Sequence, residues 1–162
     1  MVHAKEVLSD QLLANANDPS WYIPFLQSVE NLSEEQAFWK PDEGSFSIAE
    51  IVLHLLYWNQ TWQIRYQSGN VNAVPPLSSN EESFKIPDNH TFASLRNQLV
   101  DSLLRWQDLL TVEKMESDVA GFSVNAKWWG IIANLTTHNA YHIGQIVYIR
   151  KLQKSWMSKL KL

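Results

Sequence analysis

A helix with both of its ends written in the chain constrains the fold more than any other feature of this sequence. Ser47-Ile48-Ala49-Glu50 has the spacing of a capping box, and Gly69 suits the left-handed position just past a helix end. Between them Ile48, Ile51, Val52, Leu55, Trp58 and Trp62 recur at steps of three and four. That spacing predicts an amphipathic helix with one apolar stripe facing a core.

Three more long helices are predicted by the same rule. The first runs from about His3 to Asn17, with Val7, Leu8, Leu12 and Ala16 on one stripe, and Asp18-Pro19 breaks it. Thr91 caps another, in which Phe92, Leu95, Leu99, Leu103, Trp106 and Leu110 keep the helical step. The last runs from about Trp128 to Gln153. Between the first two, Trp21, Phe25, Val29 and Leu32 continue an apolar face, and Pro24 limits it to a short segment. Ser33-Glu34-Glu35-Gln36 opens a further short turn that Lys40-Pro41 ends. Residues 70–90, with Pro75, Pro76 and Pro87, read as a loop that is long for a compact domain, so it is expected to pack or to serve a site. The stretch from Thr111 to Asn125 reads as irregular. Strand signals are few, and the chain reads as an all-α four-helix bundle, a fold that builds metal sites from side chains on facing helices.

Composition removes several function classes. The 162 residues suffice for one domain with a sizeable core. The net charge is −4 and no basic stripe appears, so nucleic acid is not an expected partner. The absence of cysteine excludes a disulfide framework, a thiolate metal site and a cysteine nucleophile. No apolar run approaches the roughly 20 residues of a membrane span, and no signal-peptide pattern opens the chain, so a cytoplasmic protein without a membrane partner is expected.

The chemistry lies in the histidines. His138 and His142 are spaced i,i+4 within the last helix, which puts both rings on one face with Cβ atoms roughly 6 Å apart. They share a stripe with Ile131, Leu135, Gln145 and Ile149, so they should face the core. His54 projects between Ile51 and Trp58, also inward. One inward histidine is ordinarily a core residue satisfied by a hydrogen bond. Three unpaired imidazoles in one small core would be costly, and one divalent ion would satisfy them all. The pair is not a metalloprotease motif, because Asn139 stands where H-E-x-x-H requires its glutamate.

Two blocks resemble a known family. Trp39 to His54, W-K-P-D-E-G-S-F-S-I-A-E-I-V-L-H, is similar to the W-x-P-x-x-x-x-W-S-I-x-E-I-x-x-H block of the DinB/YfiT-like superfamily of damage-inducible metalloproteins. His138 to Val147, H-N-A-Y-H-I-G-Q-I-V, resembles its H-x-x-x-H-x-G-Q-I block. The chain departs from the family at Phe46, where tryptophan is usual. The resemblance implies one DinB-like domain over residues 1–162, an up-down-down-up helix order and a homodimer. It also implies a divalent metal on His54, His138 and His142, nickel or zinc first and iron or manganese as alternatives. The activities it implies include S-transfer with a low-molecular-weight thiol cosubstrate; many members have none known.

Three neutral ligands leave an ion its full charge and an open position, suited to activating a thiol or a water. With no cysteine in the chain, a thiolate must arrive on a cosubstrate. The expected function is therefore a metalloenzyme, transferase or hydrolase, acting on a small molecule. The alternative is a non-catalytic metal-binding or stress-response bundle. Glu50 is expected in its capping box, with a supporting or basic role at His54 as the alternative. Gln145 fits a hydrogen bond to a ligand ring or a structural one. Gly144 is expected to permit close helix approach, and Arg65 to be solvated or to reach the far end of a substrate. Trp58, Trp62 and Tyr141 suit core packing first and pocket walls second. Free histidine titrates near pH 6.5, so metal binding is expected to weaken as pH falls through about 6.

Overall fold

A computed structural model describes residues 2–156; Met1 and residues 157–162, which the expected domain span includes, lie outside the described residues. The long helices are α1 (Ala4–Ala16), α4 (Ile48–Ser68), α5 (Phe92–Leu109) and α7 (Trp128–Leu152). Short helices α2 (Phe25–Ser28), α3 (Glu34–Phe38) and α6 (Val112–Glu116) connect them, with two 3-10 turns at Val71–Ala73 and Asn80–Phe84. No strand forms among the described residues; only isolated bridges join Asn70 to Ala120 and Asp118 to Lys127. No described helix is long and apolar enough to cross a membrane.

The local signals act as their chemistry requires. Ser33 and Ser47 form complete capping boxes, and Thr91 caps α5 through Ser94 N. Gly69 ends α4 at φ 76°, a conformation that strains residues with a Cβ. α6 is a departure from the irregular stretch expected after Thr111; the Thr111 side chain accepts from Lys114 N and starts it.

Two apolar clusters fix the helix directions. One gathers Ala16, the start of α4 (Ile48 to Leu56), the first half of α5 (Phe92 to Leu103) and the end of α7 (Ile143 to Ile149). The other gathers Leu8 and Leu12, Tyr66 near the end of α4, Trp106 and Leu110, and the start of α7 from Trp128 to Leu135. So α1 and α7 run one way and α4 and α5 the other, the up-down-down-up order of a four-helix bundle. Consecutive parallel helices need a connection that returns along the bundle. α4 has 21 residues, about 30 Å of rise, and the segment after it spans that distance. This is the physical reason for the long loop.

Buried asparagines lie between the apolar clusters. Asn59 donates to the Leu55 carbonyl at 2.8 Å and to Asn139 Oδ1 at 2.9 Å, and it accepts from Trp106 Nε1 at 3.0 Å. Asn15 donates to the Thr136 carbonyl at 3.1 Å and accepts from Tyr22 at 2.5 Å. A one-residue slip would leave these groups buried and unpaired, so the layer fixes the register of α4 against α7. Asn59 follows His54 by five residues and, on the antiparallel α7, His142 follows Asn139 by three, so that register brings His54 and His142 to the same side of the layer and nearly level.

Some apolar positions differ from expectation. Val7 on the α1 stripe and Trp21 at the start of the segment after it are exposed, at 46% and 75%, and border one surface groove. A Cβ on Gly144 would meet nothing within 4 Å, so this glycine makes no close helix approach.

Candidate metal centre

The structure brings His54, His138 and His142 together, with one ring nitrogen of each within 4.8 Å of the others. His54 Nε2 lies 3.0 Å from His138 Nε2. The ring centroids of His138 and His142 are 4.6 Å apart, as the i,i+4 spacing requires. Small side-chain rotations would bring three such nitrogens onto one ion.

The hydrogen bonds behind the rings set their tautomers. Ser83 Oγ gives its single proton to the Asn80 carbonyl at 2.5 Å. It must then accept from His54 Nδ1, 2.7 Å away, which leaves the His54 Nε2 lone pair facing the cluster. His142 Nδ1 donates to Gln145 Oε1 at 2.6 Å, which leaves its Nε2 lone pair free as well. Tying the far ring N–H in this way is the usual means by which a protein orients a ligand histidine. The donor set therefore fits a divalent ion.

Ser83 and Phe84 are the residues of the candidate site that sequence reasoning missed. Both sit at the end of the 3-10 turn in the long crossover. Phe84 stacks on His54 with centroids 4.0 Å apart, and Phe46 stacks on Phe84 at 3.9 Å. The departure at Phe46 thus reaches His54 through one intervening ring. Replacing Ser83 by alanine is expected to weaken metal binding by about 10–100-fold, because the His54 tautomer is no longer held. Competition against a chelator of known affinity measures it; an unchanged affinity would show that Ser83 does not orient the ring.

Burial and the neighbouring rings favour neutral imidazoles. Burial first, then the charge His142 and His138 would carry, pushes His54 down to about 3. Burial and His142 push His138 down to about 4. Burial also lowers His142, against the opposing pull of Gln145. The expectation that metal binding weakens as pH falls through about 6 assumed ordinary imidazoles; with rings held below their ordinary value, proton competition is expected to set in at lower pH.

The other candidates separate clearly. Glu50 stays in its capping box and pairs with Lys40 at 2.7 Å, away from His54. Burial would raise this carboxyl, but the bonds from Lys40 and Ser47 hold it below its ordinary value. Arg65 is neither solvated nor substrate-facing: it is 8% exposed, donates to the Val74 carbonyl at 2.9 Å and lies over the Trp62 ring. Tyr141 is exposed, with its ring 5.0 Å from that of His142. Trp58 and Trp62 are half-buried and, with His138, line a cleft of about 480 Å³.

A family model for the DinB superfamily matches residues 24–146. The chain belongs to the DinB superfamily. Two solved structures from Bacillus subtilis share the fold of this DinB-superfamily chain. The DinB-like protein YjoA is 18% identical, with a TM-score of 0.63 over 96% of each chain. YfiT is 16% identical, with a TM-score of 0.68 over 95% of this chain and 87% of that one. It is described as "a probable metal-dependent hydrolase with an unusual four-helix bundle topology". No curated protein matches the chain.

Proposed function

We propose that His54, His138 and His142 hold one divalent ion, nickel or zinc first, and that the chain is a metal-dependent enzyme acting on a small molecule by hydrolysis or thiol-dependent S-transfer. The observation that carries this reading is the convergence of three imidazoles, two of them with the far N–H already tied. Bound there, the ion would lower the pKa of an exogenous thiol or water and polarise an electrophile.

The chain's own groups have distinct parts. Ser83 and Gln145 hold two rings in the ligating tautomer. Phe84 covers the face of His54 and keeps solvent from it. No fourth His, Cys, Asp or Glu joins the cluster among the described residues, and His138 also borders the cleft, which supports an open position facing substrate. The homodimer is proposed with the rest; the exposed face of α7 from Trp129 to Tyr148 carries no Lys, Arg, Asp or Glu and includes Tyr141 and Tyr148, which supports it, and sedimentation velocity tests it.

A second reading, a metal-binding bundle without catalysis, is favoured by the cleft walls, which offer no acid or base besides His138. Metal analysis followed by paired turnover screens separates the two. One arm supplies neutral esters and amides in water; the other supplies a low-molecular-weight thiol with an electrophile. About one ion per chain and turnover in either arm supports the enzyme. Full occupancy without turnover in both arms supports the second reading.

A further inference from the structure

The cleft beside His138 has a chemical character of its own. Trp58 and Trp62 from α4 face Ile131 and Leu135 from α7, and Phe122 stands at its rim. The polar groups on the walls besides His138 and the indole N–H groups are the amides of Asn80 and Asn134. No Lys, Arg, Asp or Glu lines it.

The indoles are held in place from behind. Trp58 Nε1 donates to Asn80 Oδ1 at 3.2 Å, which fixes the ring and leaves the Asn80 NH2 as a free donor. The Arg65 guanidinium lies 4.8 Å from the centre of the Trp62 ring. It spends Nη2 on the Val74 carbonyl and is not among the cleft walls, so it braces the indole without offering its charge to a ligand.

From this arrangement we infer that the cleft takes the uncharged, apolar part of the substrate, an aryl or branched alkyl group, and rejects anionic molecules; the inference deepens the metalloenzyme reading and rests on it for the reacting end. A volume of about 480 Å³ lies within the range of small-molecule pockets. An arene there gains two indole faces and aliphatic walls. A carboxylate or sulfonate would lose its water and find no cation in exchange. The two amides suit a neutral carbonyl or hydroxyl, which they can orient towards His138. A thiol bearing several carboxylates is disfavoured here, so a cosubstrate that enters this cleft is a neutral one.

Two fluorescent probes with one skeleton test this. N-phenyl-1-naphthylamine is neutral; 1-anilinonaphthalene-8-sulfonate is the same arene with a fixed negative charge. Both are titrated against chelator-treated protein, so that no bound cation attracts the sulfonate. The neutral probe is expected to bind at least tenfold more tightly. Trp62→Ala should weaken it at least tenfold. Trp21→Ala should leave it unchanged, because the exposed Trp21 borders a separate groove between α1 and α7. Asn134→Arg, at an exposed position on the wall, should raise sulfonate affinity at least tenfold; it decides the matter if circular dichroism shows Trp62→Ala unfolded. Equal or tighter binding of the sulfonate by the unaltered protein would overturn the inference, as would loss through Trp21→Ala alone. Zinc titration of the same samples separates the two readings. Probe selectivity without stoichiometric zinc overturns the metal site and spares the cleft; zinc binding without selectivity does the reverse.

Discussion

Replacing His138 by alanine is expected to abolish metal binding while the protein stays folded. Loss of one of three ligands should exceed the 10–100-fold that removal of a supporting hydrogen bond costs; a drop of at least roughly a thousandfold is anticipated. The fold should survive because the apolar clusters at both ends of the bundle are complete without an ion. His138 is also the right ligand to remove. It borders the cleft, so truncation widens a space already open to solvent. His54 is 1% exposed and stacked against Phe84, so its removal would open a hole in the core and confuse loss of metal with loss of fold. Metal analysis with circular dichroism reads both quantities. Stoichiometric metal in the folded variant would sink the three-histidine site, and outright unfolding would show that the bundle depends on its ion.

The fate of each residue shows what a sequence can carry. Signals that act within one or two turns were legible. The Ser33 and Ser47 boxes, the Thr91 cap, Gly69 at a positive φ and the stripe of α5 all depend on neighbours in the chain. The i,i+4 histidine pair belongs to the same class. His54 was placed with that pair by its inward position, by the cost of three unpaired imidazoles in one core and by the family resemblance, whereas its actual distance from α7 is set by packing. Ser83 and Phe84 were illegible for a related reason. They lie in a proline-bearing loop without periodicity, and they reach His54 only because parallel α4 and α5 force the chain back along the bundle. That loop's length was the one available signal. The buried asparagines were also missed. Asn59 reads as a polar residue on a helix, and its role appears only when Asn139 and Trp106 close around it. Arg65 was misjudged because stripe position says how far a side chain is from the histidines but not that the Val74 carbonyl will claim it.

Lowering the pH should destabilise the metal-free protein well before it strips metal from the loaded one. In the unfolded chain each histidine titrates near 6.5. In the fold His54 is pushed down to about 3 and His138 to about 4, chiefly by burial. Between those values the unfolded chain binds more protons than the native one, so stability falls as pH falls. It is fully present above about pH 6.5 and drains away towards pH 4, by up to about 1.4 kcal/mol per pH unit for each group. Two such groups together reach several kcal/mol, a large share of the 5–15 kcal/mol that holds an ordinary domain. Chemical denaturation of chelator-treated protein from pH 7 to pH 4 should show this decline. Added zinc or nickel should offset it, because a bound ion stabilises only the native state. The affinity of the folded site behaves differently. Three ordinary imidazoles would lose roughly 10⁴-fold between pH 7 and pH 5 through proton competition. Here two of the rings stay neutral in the native state over that interval, so the loss should remain below about 30-fold. Calorimetric titration of the folded protein at both values measures it. A 10⁴-fold collapse would mean that the rings are exposed to protons in solution and that the site is looser than its hydrogen bonds imply.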